Sequence, residues 1–220
     1  MATRGNRTEP RRPTPRLYLM TPQVADPTTV RDTLAAAVKS ADVAAVLLRL
    51  AAADERTLIN RVKALAPSIQ DQGAALLLDG LPDIVAHAAA DGAHLTGLTA
   101  FEAALTTLKP ARIAGCGGLQ TRHDAMVVAE AGADYVMFGE PDQQQHRPSL
   151  DAVVERVAWW AELFEIPCVG FAGGIEEVAP LAQAGAEFIA LGDWMFTYPQ
   201  GADVAVAEAA RRLTPVEATG

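Results

Sequence analysis

Ala131-Gly132-Ala133-Asp134-Tyr135-Val136-Met137-Phe138-Gly139 carries the passage from helix to strand to loop in nine residues. Asp91-Gly92-Ala93-His94-Leu95-Thr96-Gly97 and Ala184-Gly185-Ala186-Glu187-Phe188-Ile189-Ala190-Leu191-Gly192 rhyme with it. In each, a glycine closes an alanine-rich helical segment, where a left-handed C-terminal residue costs glycine little. A short apolar run without polar alternation follows, the pattern of a strand buried on both faces. A second glycine then opens the backbone at the strand end. The repeat predicts an αβ unit with ligand-facing glycines.

Working outward, strand candidates fall at 17–20, 44–50, 74–79, 93–96, 111–116, 135–138, 167–171 and 188–191. Helix candidates separate them at 28–40, 55–69, 82–90, 100–107, 122–131, 149–164, 176–184 and 202–213. The helix at 149–164 opens with Ser149 as N-cap, and Val153, Val154, Val157, Trp160 and Leu163 recur at helical spacing as core positions. Strict alternation predicts an α/β fold, a single-domain (β/α)8 TIM barrel over 17–213. A tail at 1–16 and a short one at 214–220 flank it. An open doubly wound sheet is disfavoured, because Thr21-Pro22-Gln23 stands where a Gly-x-Gly-x-x-Gly would follow the first strand.

The chain has 220 residues, half of them hydrophobic and 20% charged, enough to bury a core. No apolar run reaches the ~18 residues of a membrane span, and the N-terminus lacks the apolar segment of a secretion signal. A cytoplasmic location is therefore expected. Residues 1–16 hold five arginines and one acid, the signature of a disordered basic extension. Without them, 13 Lys and Arg face 26 Asp and Glu, a net −13 that disfavours nucleic acid as a partner. Cys116 and Cys168 lie far apart in apolar runs, which points to buried free thiols rather than a zinc site.

A barrel presents ligands at the C-terminal strand ends, commonly with a phosphate site after the last two strands. Gly173-Gly174 follows the seventh strand and Gly192-Asp193 the eighth. Their backbone N–H groups, beside a helix start, can cradle a phosphate; the glycines serve a tight turn equally well. Asp193 would repel that anion. Arg49 at the second strand end suits a ligand or a structural ion pair. Asp79 at the third suits a magnesium or ligand contact, or a helix cap. His94, in the fourth strand, is a catalytic or a core histidine. His123 and His146 read as exposed loop residues.

In these residues the chain resembles the thiamine phosphate synthase and thiazole tautomerase family. Leu17-Tyr18-Leu19-Met20-Thr21 is similar to its opening strand, and Gly92-Ala93-His94-Leu95 to its Gly-Val-His-Leu. Gly132 to Gly139 resembles its Gly-Ala-Asp-Tyr-Ile-Gly-Phe-Gly, and Gly173-Gly174-Ile175 with Ala184-Gly185-Ala186 its closing glycine motifs. The likeness spans residues 17–196. It implies an enzyme of thiamine biosynthesis that joins hydroxymethylpyrimidine diphosphate to thiazole phosphate. Diphosphate leaves first, and the thiazole nitrogen captures the pyrimidine carbocation.

On this resemblance Arg49, Asp79 and His94 are the catalytic candidates, and Asp79 would hold Mg2+. Gly173, Gly174, Gly192 and Arg147 would bind phosphate. The partner is a phosphorylated small molecule, and a homo-oligomer is compatible with the reading. Several family positions differ. Leu47 and Ala51 stand for the Gln and Lys around Arg49, and Leu78 and Gly80 for the Asn and Arg around Asp79. Gly97 and Thr99 replace a Gln and a second Asp, and Asp193 replaces a Ser. Gln143-Gln144-Gln145-His146-Arg147 replaces a Pro-Thr-x-Thr-Lys loop, keeping a cation at its end. The loops after Gly97 and Gly139 therefore read as stripped of polar chemistry. Two other readings follow from these losses: a regulatory barrel that binds a phosphorylated metabolite, and a tautomerase with His94 or His123 as base.

Overall fold

The structure, a computed structural model, describes residues 13–142 and 144–213. Of the tails expected at 1–16 and 214–220, residues 1–12 and 214–220 lie outside the described residues, as does Gln143. Strands β1 (Arg16–Met20), β2 (Val43–Leu48), β3 (Ala75–Asp79) and β4 (Gly92–Thr96) form the first half of the sheet. Strands β5 (Ile113–Gly117), β6 (Tyr135–Phe138), β7 (Cys168–Ala172) and β8 (Phe188–Leu191) form the second. All pairs are parallel, and β1 pairs with both β2 and β8, so the sheet closes into a barrel. Helices α1 (Arg31–Lys39), α2 (Glu55–Gln70), α3 (Val85–Ala88) and α4 (Leu98–Leu108) alternate with the early strands. Helices α5 (Arg122–Glu130), α6 (Leu150–Leu163), α7 (Val178–Ala184) and α8 (Ala202–Leu213) continue the ring. The (β/α)8 expectation holds.

Period-two side-chain alternation explains the uninterrupted apolar runs. Tyr18, Met20, Leu47, Leu77, Met137 and Phe171 pack inside the barrel. Their strand neighbours Leu17, Leu19, Val46, Leu48, Leu76 and Phe138 belong to the core between sheet and helices. Both faces are packed mainly with apolar side chains, so the runs show little polar alternation. Inside the barrel the polar atoms pair with each other: Tyr18 and Tyr135 hydroxyls lie 3.0 Å apart, and the Tyr135 hydroxyl is 3.0 Å from His94 Nδ1. Cys116 and Cys168 are free and buried as expected, and burial pushes the Cys116 thiol up to about 12.

The rhyming glycines divide. Gly132 and Gly185 adopt φ of 103° and 104°, the left-handed ends of α5 and α7. Gly92 does not cap a helix; the left-handed residue ending α3 is Ala89. Gly92 instead starts β4, where a Cβ would overlap the carbonyl oxygen of Ile113 on β5. Close strand approach, not backbone handedness, requires glycine there. Arg16 also belongs to the barrel rather than to the tail: it opens β1 and pairs with Asp42 at 2.7 Å.

Helix α6 begins as expected, with Ser149 Oγ accepting from the N–H of Ala152. Val153, Val157 and Trp160 are buried, and Val154 packs in part. Leu163 is a correction, being 62% exposed. The helix ends there, and the next residue, Phe164, takes the inner position by stacking on Trp160 at 4.1 Å.

Candidate active site

The C-terminal strand ends open onto a cavity of about 820 Å3. Arg49, Asp79, His94, Arg147 and Gly192 all line it, so five of the expected site residues meet in one space. Arg49 follows β2 directly, and its main-chain N–H donates to the buried Thr21 hydroxyl at 3.0 Å. That bond fixes the base of the side chain. Its guanidinium reaches Asp79 at 3.8 Å and Asp193 at 3.7 Å. The distances are long for bidentate pairs, so the cation bridges two carboxylates without being consumed by either. Asp79 caps no helix, since the turn after β3 is capped by Leu81 with no side-chain bond. Burial raises its carboxyl above the usual range and Arg49 pulls it back.

The two histidine readings separate. His94 is buried, with Nδ1 against Tyr135, and burial pushes it down to about 4, so it is neutral at pH 7. His123 sits exposed at the start of α5 and is not part of the cavity wall. His146 lines the mouth 4.0 Å from Asp142.

The glycine pair after β7 is engaged by the chain itself. Glu177, two residues beyond Ile175, turns its carboxylate onto Arg147, with bonds of 3.0 Å from Nη1 and 2.8 Å from Nη2. The Gly173 N–H donates to the same carboxylate at 2.7 Å. A Cβ on Gly173 would overlap Arg147 Nη1. Gly173 thus makes room for the guanidinium, which also bonds the Gly139 and Phe171 carbonyls at 3.2 and 3.3 Å. Three donors converge on one anion, and that anion is internal. Gly173 and Gly174 do not line the cavity, whereas Gly192 does, with Phe171 Cζ 2.8 Å from where its Cβ would stand.

The family model described as thiamine monophosphate synthase matches residues 17–193. The chain belongs to that family. It is 39% identical over 197 residues to the thiamine-phosphate synthase of Rhodospirillum centenum, covering 88% of this chain and 95% of the relative. It is 31% identical over 204 residues to the thiamine-phosphate synthase of Hyphomonas neptunium, covering 89% and 92%. Among solved structures, the thiamine phosphate pyrophosphorylase of Pyrococcus furiosus superposes with a TM-score of 0.74 over 90% of this chain and 95% of that one, at 19% identity. The 3-hexulose-6-phosphate synthase of Salmonella typhimurium gives 0.70 at 14%, over 90% and 98%. At such identities these last two likenesses show the barrel alone.

Two charged groups of this thiamine monophosphate synthase family member escaped the sequence reading. Glu140 directly follows Gly139, in a loop read as stripped of polar chemistry, yet it lines the cavity and accepts from the Gly118 N–H. Burial pushes its carboxyl up to about 7. Arg156 lies on α6, which was read only for its core face. It reaches over to the Leu119 and Gln120 carbonyls at 2.9 and 3.4 Å and lines the same mouth. A polar residue one step past an apolar strand was the available signal for Glu140. Nothing local marks Arg156.

Proposed function

We propose that this chain joins hydroxymethylpyrimidine diphosphate to thiazole phosphate, giving thiamine phosphate and diphosphate. The observation that carries the reading is the shared mouth, where Arg49, Asp79 and Arg147 line one cavity of a size suited to small molecules. Membership of the family supports it. The carbon–oxygen bond to diphosphate breaks first, and negative charge builds on the leaving group. Arg49 would meet that charge through its fork of N–H donors. Met20, Leu47, Met137 and Phe171 line the inner wall and would keep water from the carbocation before the thiazole nitrogen closes the new bond. His94, held neutral, places no opposing positive charge there.

Among the described residues no three His, Cys, Asp or Glu side chains gather into a metal-binding group. Mg2+ commonly binds through one or two carboxylates, waters and substrate phosphates, so Asp79 fits an ion shared with the diphosphate. Bound there, the ion would offset charge on the leaving group. Mixing purified protein, both substrates and magnesium is expected to yield thiamine phosphate; absence of product refutes the function. Asp79→Asn is expected to raise the pyrimidine-diphosphate KM and the magnesium requirement by about 10–100-fold. Unchanged values would remove Asp79 from that role.

Arg147 would serve the phosphate end. An arriving phosphate needs the donors that Glu177 now holds, so the carboxylate competes with it. Glu177→Gln keeps the shape and removes the competing charge. The KM for thiazole phosphate is expected to fall about three- to tenfold, the scale of one ordinary hydrogen bond. A rise instead would show that Glu177 holds Arg147 in its working position.

A further inference from the structure

The inner end of the cavity holds an acid that phosphate chemistry does not explain. Glu140 leaves β6 and folds back towards β5, where Oε1 accepts the Gly118 N–H. A Cβ on Gly117 would overlap that same oxygen and lie 2.8 Å from His94 Nε2, so the carboxyl and the imidazole edge crowd one spot. No buried side-chain oxygen or nitrogen among the described residues lacks a partner, and Glu140 lines the cavity with its carboxyl held by the Gly118 N–H and by its own main-chain N–H. The same cavity has an apolar part built by Met20, Leu47, Met137 and Phe171.

A carboxyl here would repel a diphosphate. It would also find no matched partner on a thiazole, which lacks an amino group beside a ring nitrogen. A 4-aminopyrimidine has that pairing, a ring nitrogen that accepts next to an N–H that donates. A protonated carboxyl offers the complementary pair, a hydroxyl donor and a carbonyl acceptor. Oε1 keeps a second lone pair after bonding Gly118, which suffices for the amino N–H. We propose that Glu140 reads the amino–nitrogen edge of the pyrimidine ring and so fixes which heterocycle enters the inner slot, while Arg49 holds the diphosphate at the mouth. This rests on the function proposed above and adds the residue that selects the substrate.

The charge setting agrees with that geometry. Tyr18 of β1, Asp79 of β3, His94 of β4, Cys116 of β5 and Arg156 of α6 face this region. Burial, more than any of these, lifts the acid towards neutrality; its own main-chain N–H, the Gly118 N–H and Arg156 lower it and Asp79 raises it. Near pH 7 the carboxyl can therefore supply the proton. The bound pair holds one proton, which the free carboxyl gives up as pH rises past about 7, so affinity falls above that pH.

Calorimetric binding of hydroxymethylpyrimidine diphosphate and of its 4-deamino analogue tests the assignment in wild type, Glu140→Ala and Glu140→Gln. Wild type is expected to prefer the amino compound by about 10–100-fold. Glu140→Ala should lose that preference with little change in the thiazole phosphate KM. Glu140→Gln presents an amide with the same donor and acceptor, so it should keep the preference and lose the decline above pH 7. Gly117→Ala, which forces the carboxyl aside, should mimic Glu140→Ala. Preference kept in Glu140→Ala, with product still formed by wild type, overturns the pyrimidine assignment alone. No product from wild type overturns the function and this assignment together.

Discussion

Arg49→Ala is expected to lower kcat/KM for thiamine phosphate formation by about 100–1,000-fold, the scale of removing one preorganised donor to developing charge. The side chain stands between Asp79 at 3.8 Å and Asp193 at 3.7 Å. Deleting it does two things at once. It removes the donors aimed at the departing diphosphate, and it leaves two carboxylates at the mouth with no cation between them. The second effect repels the substrate, so KM rises along with the fall in kcat. Arg49→Lys restores a point charge without the planar fork and should recover only part of the rate. The anchoring bond from the Arg49 main-chain N–H to Thr21 is untouched by either change, so the fold should survive both. Steady-state kinetics with each substrate varied in turn provides the check. A loss below about threefold would show that Arg49 is a structural ion pair.

Trp160→Ala is expected to cost about 3–5 kcal/mol of folding stability. The indole is 0% exposed, stacks on Phe164 at 4.1 Å and meets Phe138 edge-on at 5.7 Å. Its Nε1–H donates to the Ile166 carbonyl at 2.7 Å. Truncation therefore opens a cavity between α6 and β6 and leaves a half-buried carbonyl without its donor. At roughly 2–4 °C per kcal/mol for a domain of this size, the melting temperature should fall by about 6–20 °C. Trp160→Phe keeps the stacking and loses the hydrogen bond, so its cost should be about 1–3 kcal/mol. Thermal or urea unfolding measures both, and equal small losses would contradict the packing account. Because β6 carries Glu140 at its end, the same truncation should also loosen the pyrimidine end of the cavity.

The fold was legible because its signals are local. A glycine that turns left-handed after α5 or α7, and an apolar run buried on both faces, are properties of consecutive residues. Strand edges therefore came out within a few positions. The misreadings were of positions where two explanations share one residue type. Gly92 looks like a helix cap and is a close-approach glycine, because what requires it is Ile113 on the neighbouring strand. Leu163 looks like the next core position of α6, but the helix ends and Phe164 fills the space.

The site was half legible. Arg49, Asp79 and Gly192 could be named from strand-end position, His94 from its place in the fourth strand and Arg147 from the family resemblance, and all five line one cavity. Their partners could not. Arg147 and Glu177 are 30 residues apart, and Glu140 and Gly118 are 22. Such pairings exist only after β1 closes on β8 and brings loops from different units to one mouth. The sequence by itself determined the barrel and which strand ends face ligands, since both follow from short-range periodicity and turn chemistry. The tertiary structure alone decided that Glu177 occupies Arg147 and the Gly173 N–H and that Glu140 lines the cavity. Those contacts depend on where closure of the sheet sets side chains far apart in the chain, and burial at that place lifts the Glu140 carboxyl towards neutrality.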